Sequence, residues 1–498
     1  MDNVDALVIG SGFGGLGAAL QLAESGARVV VCERLTYPGG CGGTFTHRGV
    51  QYEAGATLAM GLDHGDIFSQ ILEDYGLDVA HAPLNPVVEV RDGRFTTALP
   101  AHEDGFAGVL RERGAPRFAS EVETVSRALR PLLREPDLLP PLSLSNLWSH
   151  GQRIPGYLPL LPVVGRSLAQ RLRRYGLNTD AYRHWLEPLC WVSVQTGVDD
   201  AEAPFAIAAI DALLRSAHHV RGGMGALAWG MVHAIRQAGG TVTFGNRVKG
   251  LRREGGDWVV DTRRGPWRAP MVFANVLPQS LPTLTDGAVR VDRLAKRIEG
   301  GYGAAMLYLQ IEPHDDLPDH AFHMNLVDDP TRPYHEGNHV FCSVSAVGED
   351  RGAEGRRTVV VSTHLPAHAT RSVVERVQRQ MTQTVERRAP EVWAAHRACM
   401  TASPRTFARF TARDRGYVGG IPRRTGLMSY RELWLAPPAR GLHLVGDSVL
   451  LGQSTLSAFV SGARIAGAAT GSSVRVRPTV PTPAWGASEA GVTGSRAR

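Results

Sequence analysis

The chain has 498 residues, 43% of them apolar and 20% charged, with a net charge of +6. A chain this long exceeds what one hydrophobic core serves, so two intertwined domains are expected, and the composition excludes a disordered or fibrous protein. The positive charge is almost all arginine, with only Lys249 and Lys296 as lysines, and it is neither concentrated nor interleaved with aromatics, which sets nucleic-acid binding aside.

The clearest signal opens the chain. Ala6–Ile9 reads as a short buried strand, Gly10-Ser11-Gly12-Phe13-Gly14-Gly15 turns the chain into a helix running to about Glu24, and Gly26 ends it. A second apolar strand, Val29–Cys32, leads to Glu33. This order of strand, GxGxxG, helix, strand and acid is the dinucleotide-binding fingerprint. Gly10 permits the tight turn, Gly12 lets backbone approach a pyrophosphate, and Gly15 lets the helix pack on the sheet. The free N–H groups and the positive dipole end at the helix start favour phosphate charge. Glu33 is expected to accept hydrogen bonds from both ribose hydroxyls.

Small residues follow in Pro38–Phe45 and Gln51–Thr57 and would let backbone run beside an extended cofactor. Residues 76–205 carry little fingerprint: helix-like stretches at Ala119–Leu133, Leu168–Tyr175 and Ala181–Leu189, a Leu/Pro-rich segment at Leu138–Pro162, and a charged stretch, Gly105–Arg117, read as a solvated helix face. The most apolar run, Pro155–Gly165, falls short of the roughly 18–20 residues that span a bilayer. With no signal-peptide pattern the chain reads as cytoplasmic, and a peripheral contact with membrane lipid stays open because Arg166, Arg171, Arg173 and Arg174 follow that run.

From Ala203 the pattern tightens. Apolar Phe205–Leu214 precedes Gly222-Gly223-Met224-Gly225, a helix at Leu227–Ala238 and a strand at Thr241–Phe244. Val248–Arg252, Trp258–Thr262 and Trp267–Phe273 alternate like hairpin strands. Met306–Ile311, His339–Val347 and Arg357–His364 read as a separate sheet, followed by a helix at Ser372–Arg388. Near the far end Gly441–Asp447 is an apolar strand ending in Gly-Asp, and Gly452-Gln453-Ser454-Thr455 opens a small-residue helix, Leu456–Ala469. A strand that feeds a carboxylate into a helix start suits a polyol and a polar ring edge, the ribityl chain and ring of a flavin. The last residues, 476–498, are rich in Pro, Gly, Ser and Thr and read as a disordered tail.

The five cysteines are scattered without a CxxC pair, so neither a disulfide framework nor a metal site is expected. No second complete GxGxxG–acid unit is visible, and the fold class expected is α/β: a Rossmann-like FAD-binding domain with an interleaved α+β substrate domain. The cofactor domain would take 1–75, 206–300 and 431–475, and the substrate domain 76–205 and 301–430.

At these residues the sequence resembles the phytoene desaturase-like flavoproteins, the carotenoid desaturases and isomerases, and most closely the carotenoid 3,4-desaturases. PGGCGGTFTHRGVQYEAGATLAMGL, HHVRGGMGAL, Arg405–Pro422 and GLHLVGDSVLLGQSTLSAFVSGARIA carry the likeness. It implies an amine-oxidase type of FAD-binding fold. Gly10, Gly12, Phe13, Gly14, Gly15, Glu33 and Arg34 would hold the ADP half, and Gly40, Gly43 and Thr44 would pass beside the flavin. Val248 would meet the adenine, Gly446 and Asp447 would hold the ribityl chain, and Ser454 and Thr455 would lie near the ring. It further implies a long apolar isoprenoid substrate desaturated by hydride transfer, with oxygen, a quinone or a redox partner taking the electrons. This chain departs from the pattern at Cys41, where many desaturases carry arginine, and at Glu53-Ala54-Gly55-Ala56. Those departures leave substrate and reaction open, so cis–trans isomerisation or saturation of a polyene, an amine-oxidase-like reaction, or a flavin-binding partner without activity are the alternatives. Trp148, Tyr157, Trp185, Trp191, Phe205, Phe410 and Tyr417 are candidate pocket lining. Arg405, Arg409, Arg413, Asp414 and Arg415 are a candidate polar clamp or a surface ion-pair cluster. No catalytic base is assigned; His218, His219 and Asp414 are the candidates.

Overall fold

A computed structural model describes residues 1–141, 144–431, 433 and 436–474; the tail expected at 476–498 lies outside the described residues. In chain order the main elements begin with β1 (Ala6–Ile9), α1 (Phe13–Glu24), β2 (Val29–Cys32), β3 (Thr44–His47), β4 (Val50–Glu53), β5 (Val88–Arg91) and β6 (Thr96–Leu99). Six helices follow: α2 (Gly105–Glu112), α3 (Pro116–Leu129), α4 (Leu144–Tyr157), α5 (Asp180–Val194), α6 (Ala203–Ser216) and α7 (Met224–Gln237). Then come β7 (Thr241–Thr243), β8 (Val248–Glu254), β9 (Asp257–Thr262), β10 (Gly265–Ala269) and β11 (Met271–Ala274). The remainder is β12 (Tyr302–Ile311), β13 (Phe322–Val327), β14 (His339–Val344), β15 (Arg357–Leu365), α8 (Arg371–Arg388), β16 (His396–Ala402), α9 (Pro404–Thr411), β17 (Leu442–Leu444) and α10 (Thr455–Thr470).

The first sheet is parallel, in the order β7-β2-β1-β11-β17. Its central strands β1, β2 and β11 are apolar runs because both faces are covered, one by α1, α7 and α10 and the other by the antiparallel strands β8–β10. It therefore joins residues near 6–32, 241–274 and 442–444 into one Rossmann-like layer. Helix α1 packs along α10 so closely that a Cβ on Gly17 would strike the Phe459 carbonyl, and one on Gly462 would strike the Gly14 carbonyl. Because that contact is backbone against backbone, Gly462→Val is expected to cost about 3 kcal/mol through forced separation of the helices. A thermal melt of the variant beside the parent measures it.

The second sheet has eight strands, with β16-β12-β15-β14-β13-β5-β6 on its main path. Its strands alternate. Leu307, Leu309, Met324, Leu326, Val340, Cys342, Val359 and Val361 form one core with Val374, Val377 and Met381 of α8. The opposite face carries Met306, Ser362, Phe341 and Asn325 in cross-strand register.

Three expectations are corrected. Trp267–Phe273 is not one strand: Pro270, which has no N–H to donate, divides it into β10 of an antiparallel sheet and β11 of the parallel one. Gly105–Arg117 is not a solvated face, since Phe106, Ala107, Val109 and Leu110 of α2 are wholly buried against Phe118 and Val122 of α3. Nor is the arginine group one exposed patch, because Arg171 is buried in an ion pair with Glu121. No helix among the described residues is long and apolar enough to cross a membrane.

Candidate functional site

One cavity of about 870 Å³ runs from the fingerprint turn to the inner face of the large sheet. Its first part is built by the end of β1 and the start of α1. Gly10 takes φ +87°, and a Cβ on Gly15 would run into the Gly10 carbonyl, so the turn closes only with glycine at both places. With the Asn275 amide turned so that its oxygen faces the loop, Oδ1 accepts from the N–H groups of Gly12 and Gly15, both at 3.3 Å. Asn275, directly after β11, also lies against Gly446, where a side chain would collide with it. This residue ties the opening turn to the near-terminal Gly-Asp, and no local pattern marks it in the sequence.

Glu33 is 5% exposed and lines the cavity. Its Oε2 accepts from the N–H (2.7 Å) and hydroxyl (2.8 Å) of Ser11, and its Oε1 from the N–H of Leu35 (2.7 Å). A carboxylate offers about four lone-pair sites, so roughly one remains for a ligand hydroxyl, rather than the two expected.

The middle of the cavity is where Gly40, Cys41 and Gly42 face Asp447, Ser454 and Thr455. Asp447 is held by Arg413 in a two-pronged ion pair, Nη2 to Oδ2 at 2.8 Å and Nη1 to Oδ1 at 3.3 Å. Burial works against the Arg413 charge, but Asp447 outweighs it and holds the guanidinium above its usual range. Burial likewise pushes the Cys41 thiol up, although Arg413 draws it down. Ser454 adopts φ +97°, a strained conformation for a side-chain-bearing residue, and its Oγ accepts from Ser457 N–H at 3.0 Å, capping α10.

Of the remaining residues singled out from sequence, Gly10, Gly12, Phe13, Gly14, Arg34 and Val248 line the cavity. Gly15, Gly43, Thr44 and Gly446 shape it from behind: the Thr44 hydroxyl accepts from Gly225 N–H at 2.9 Å, which docks the Gly222–Gly225 loop on β3. Glu53 supports the same loop, accepting from Met224 N–H at 2.8 Å, and its burial raises its carboxyl above the usual range.

The far part of the cavity is largely apolar, with Leu189, Val192, Phe205, Ala208, Ala209 and Phe341 in its wall. Among the aromatic candidates only Phe205 lines it. Trp185 is fully buried in the helical core, Trp191 packs beside the cavity on Tyr302, and Trp148 and Phe410 are exposed. Of the proposed clamp, Arg413 and Asp414 reach the cavity. His218 and His219 do not; His219 pairs with Glu349 at 2.7 Å instead. The wall formed by the large sheet is not apolar, carrying Asn325, His339, Ser362 and His364. Burial lowers His339 to about 3 and His364 to about 4, so both rings are neutral. No group of side chains among the described residues suits a metal ion.

Residues 8–75 match a family model described as an NAD(P)-binding Rossmann-like domain. Prolycopene isomerase of Arabidopsis thaliana is 24% identical over 507 residues, covering 92% of this chain and 81% of that protein. A neurosporene-forming phytoene desaturase of Cereibacter sphaeroides is 38% identical over 109 residues, 21% of each chain. These likenesses support a carotenoid desaturase/isomerase-like FAD oxidoreductase family. Human all-trans-retinol 13,14-reductase is 26% identical over 257 residues, and the match spans 48% of this chain but only 41% of that relative's length. The fold agrees: a solved putrescine oxidase variant superposes with a TM-score of 0.63 at 16% identity, covering 94% of this chain and 99% of that one.

Proposed function

We propose that this oxidoreductase binds FAD along the fingerprint-to-Asp447 half of the cavity and desaturates a long apolar polyene in the other half. The observation that carries the reading is the continuity of the cavity: Gly12, Glu33, Asp447 and Ser454 share it with Phe205, Ala208 and Phe341. The residues fit the cofactor, since glycines at 10, 12 and 14 leave the turn's backbone open to the cavity and the buried Glu33 faces it. Gly10, Gly12, Gly14, Glu33 and Arg34 would hold the ADP half and Val248 the adenine. Gly40, Asp447, Ser454 and Thr455 would hold the ribityl chain and ring, with Gly15, Gly43, Thr44 and Gly446 keeping that channel in shape. Bound FAD supplies a two-electron hydride acceptor, which oxygen, a quinone or a redox partner would reoxidise. The chain itself excludes water with the apolar wall and aligns the polyene along it. The interleaved stretches 1–75, 206–300 and 431–475 would form the cofactor domain, and 76–205 with 301–430 the substrate domain.

A second reading, cis–trans isomerisation or saturation of a polyene, is favoured by the isomerase match along 92% of the chain. Product mass separates the readings: desaturation removes two hydrogens per bond, saturation adds two, and isomerisation changes nothing. Purified protein is expected to be yellow and to release one FAD on heating. Anaerobic incubation with carotenes in lipid should then bleach the flavin and yield a product two mass units lighter per new bond.

We also propose a lipid contact at α4 and the turn after it, in place of the arginine group. Trp148 is 72% exposed and Leu161 71%, beside Leu147, Ile154 and Leu158. His150 on α4 hydrogen-bonds to the Leu138 carbonyl at 2.8 Å, and the next residue, Leu139, lines the cavity. Trp148→Ser with Leu161→Ser is expected to cut co-sedimentation with phospholipid vesicles at least fivefold while leaving bound flavin unchanged.

A further inference from the structure

The polar row on the inner face of the large sheet has no role in an all-hydrocarbon substrate site. Asn325 lies in register with Phe341 of the next strand, Phe341 with Ser362, and Ser362 with Met306. All four alternate with side chains of the α8-facing core, and all four line the cavity. His339 Nε2 lies 2.8 Å from Asn325 Oδ1, and the ring is neutral, so it brings no charge to the pair. That leaves the Asn325 amide nitrogen: fully buried, in the cavity wall, with no hydrogen-bond partner. A buried amide donor left unmade costs about 1–3 kcal/mol, so such a group in an apolar wall is either a penalty or a contact awaiting a ligand.

We propose that Asn325 is a specificity-determining residue, whose amide donates a hydrogen bond to an oxygen acceptor (hydroxyl, ether or carbonyl) borne by the polyene. The inference rests on the polyene reading above and deepens it. Position supports it. Met306 packs in one cluster with Cys41 and Phe407, on the side of the sheet where the glycine turn passes. Asn325 sits three strands farther across, at roughly 4.8 Å per strand about 14 Å away. The recognised oxygen is therefore remote from the bond set beside the glycine turn, and the contact selects the substrate rather than activating it. Ser362 and His364, two strands away, add polar groups to the same cavity wall. Discrimination is asymmetric: a site with a buried unpaired donor penalises the hydrocarbon that cannot satisfy it.

The test uses flavin-loaded enzyme and three matched polyenes in lipid vesicles: a hydrocarbon, its terminal alcohol and the methyl ether of that alcohol. Binding is read from the polyene absorption band and turnover by mass spectrometry. The parent enzyme is expected to favour both oxygenated polyenes at least tenfold over the hydrocarbon. Asn325→Leu should shrink that ratio below threefold without loss of bound flavin. Asn325→Asp, which keeps an acceptor for His339 but removes the amide donor, should do the same and serves if the leucine variant does not fold. Equal use of all three polyenes by the parent, or an unchanged ratio in both variants, overturns the subsite while leaving the polyene reading intact. Tight, oxygen-selective binding lost in the variants but with no turnover upholds the subsite and defeats the desaturation reading. No binding of any polyene defeats both.

Discussion

Gly12→Val is expected to give a folded, colourless protein. Its Cβ would stand 2.7 Å from the end of the Asn275 amide, the tip of a side chain that can move, so the fold tolerates the change at about 1–3 kcal/mol. The cofactor does not tolerate it. The start of α1 carries the positive end of the helix dipole, and a valine at position 12 stands between it and a pyrophosphate that must approach the backbone. A loss of at least 100-fold in FAD affinity, about 3 kcal/mol, is expected. Glu33→Ala should also release flavin, and it leaves the Ser11 N–H buried without its acceptor, so a further loss of about 1–3 kcal/mol in stability accompanies it. The measurements are visible absorbance, FAD released on heating and a thermal melt. Retained flavin in both variants removes the turn from the binding site.

Asp447 separates two roles that one substitution would confuse. In Asp447→Ala the Arg413 guanidinium keeps its charge in a place where its side chain is only 16% exposed, having lost a carboxylate at 2.8 Å. Breaking a fully buried pair costs about 3–5 kcal/mol, and partial solvent access brings the expectation to about 2–3. Removing both charges, in Arg413→Met with Asp447→Leu, should restore stability to within about 1 kcal/mol of the parent, because no charge is left unpaired. Flavin is expected to be lost from both proteins, since the carboxylate that faces the ribityl chain in the proposed site is missing from each. A double variant that is stable and yellow would reduce Asp447 to a structural anchor for Arg413.

What could be read without a structure was local. The turn at Gly10–Gly15, the strand Val29–Cys32 and the helices Arg371–Arg388 and Thr455–Thr470 each declare themselves within a dozen or so residues, through glycine spacing or a single hydrophobic period. The strand Phe322–Val327 was missed because it mixes His323 and Asn325 with apolar residues, and its meaning depends on which face meets the cavity. Its parallel partner, Val88–Arg91, is more than two hundred residues away. Pro270, read inside a strand, in truth moves the chain from one sheet to another.

The sequence by itself determined the dinucleotide turn, the acid that follows it and the α/β class, because these depend on backbone freedom and side-chain period within short segments. Only the tertiary structure decided that Asn275 links the opening turn to Gly446, that Arg413 grips Asp447, and that an unpaired amide faces the cavity. Each of these is a contact between residues far apart in the chain, made where packed layers bring polar atoms out of water, and nothing in the neighbouring residues records such a meeting.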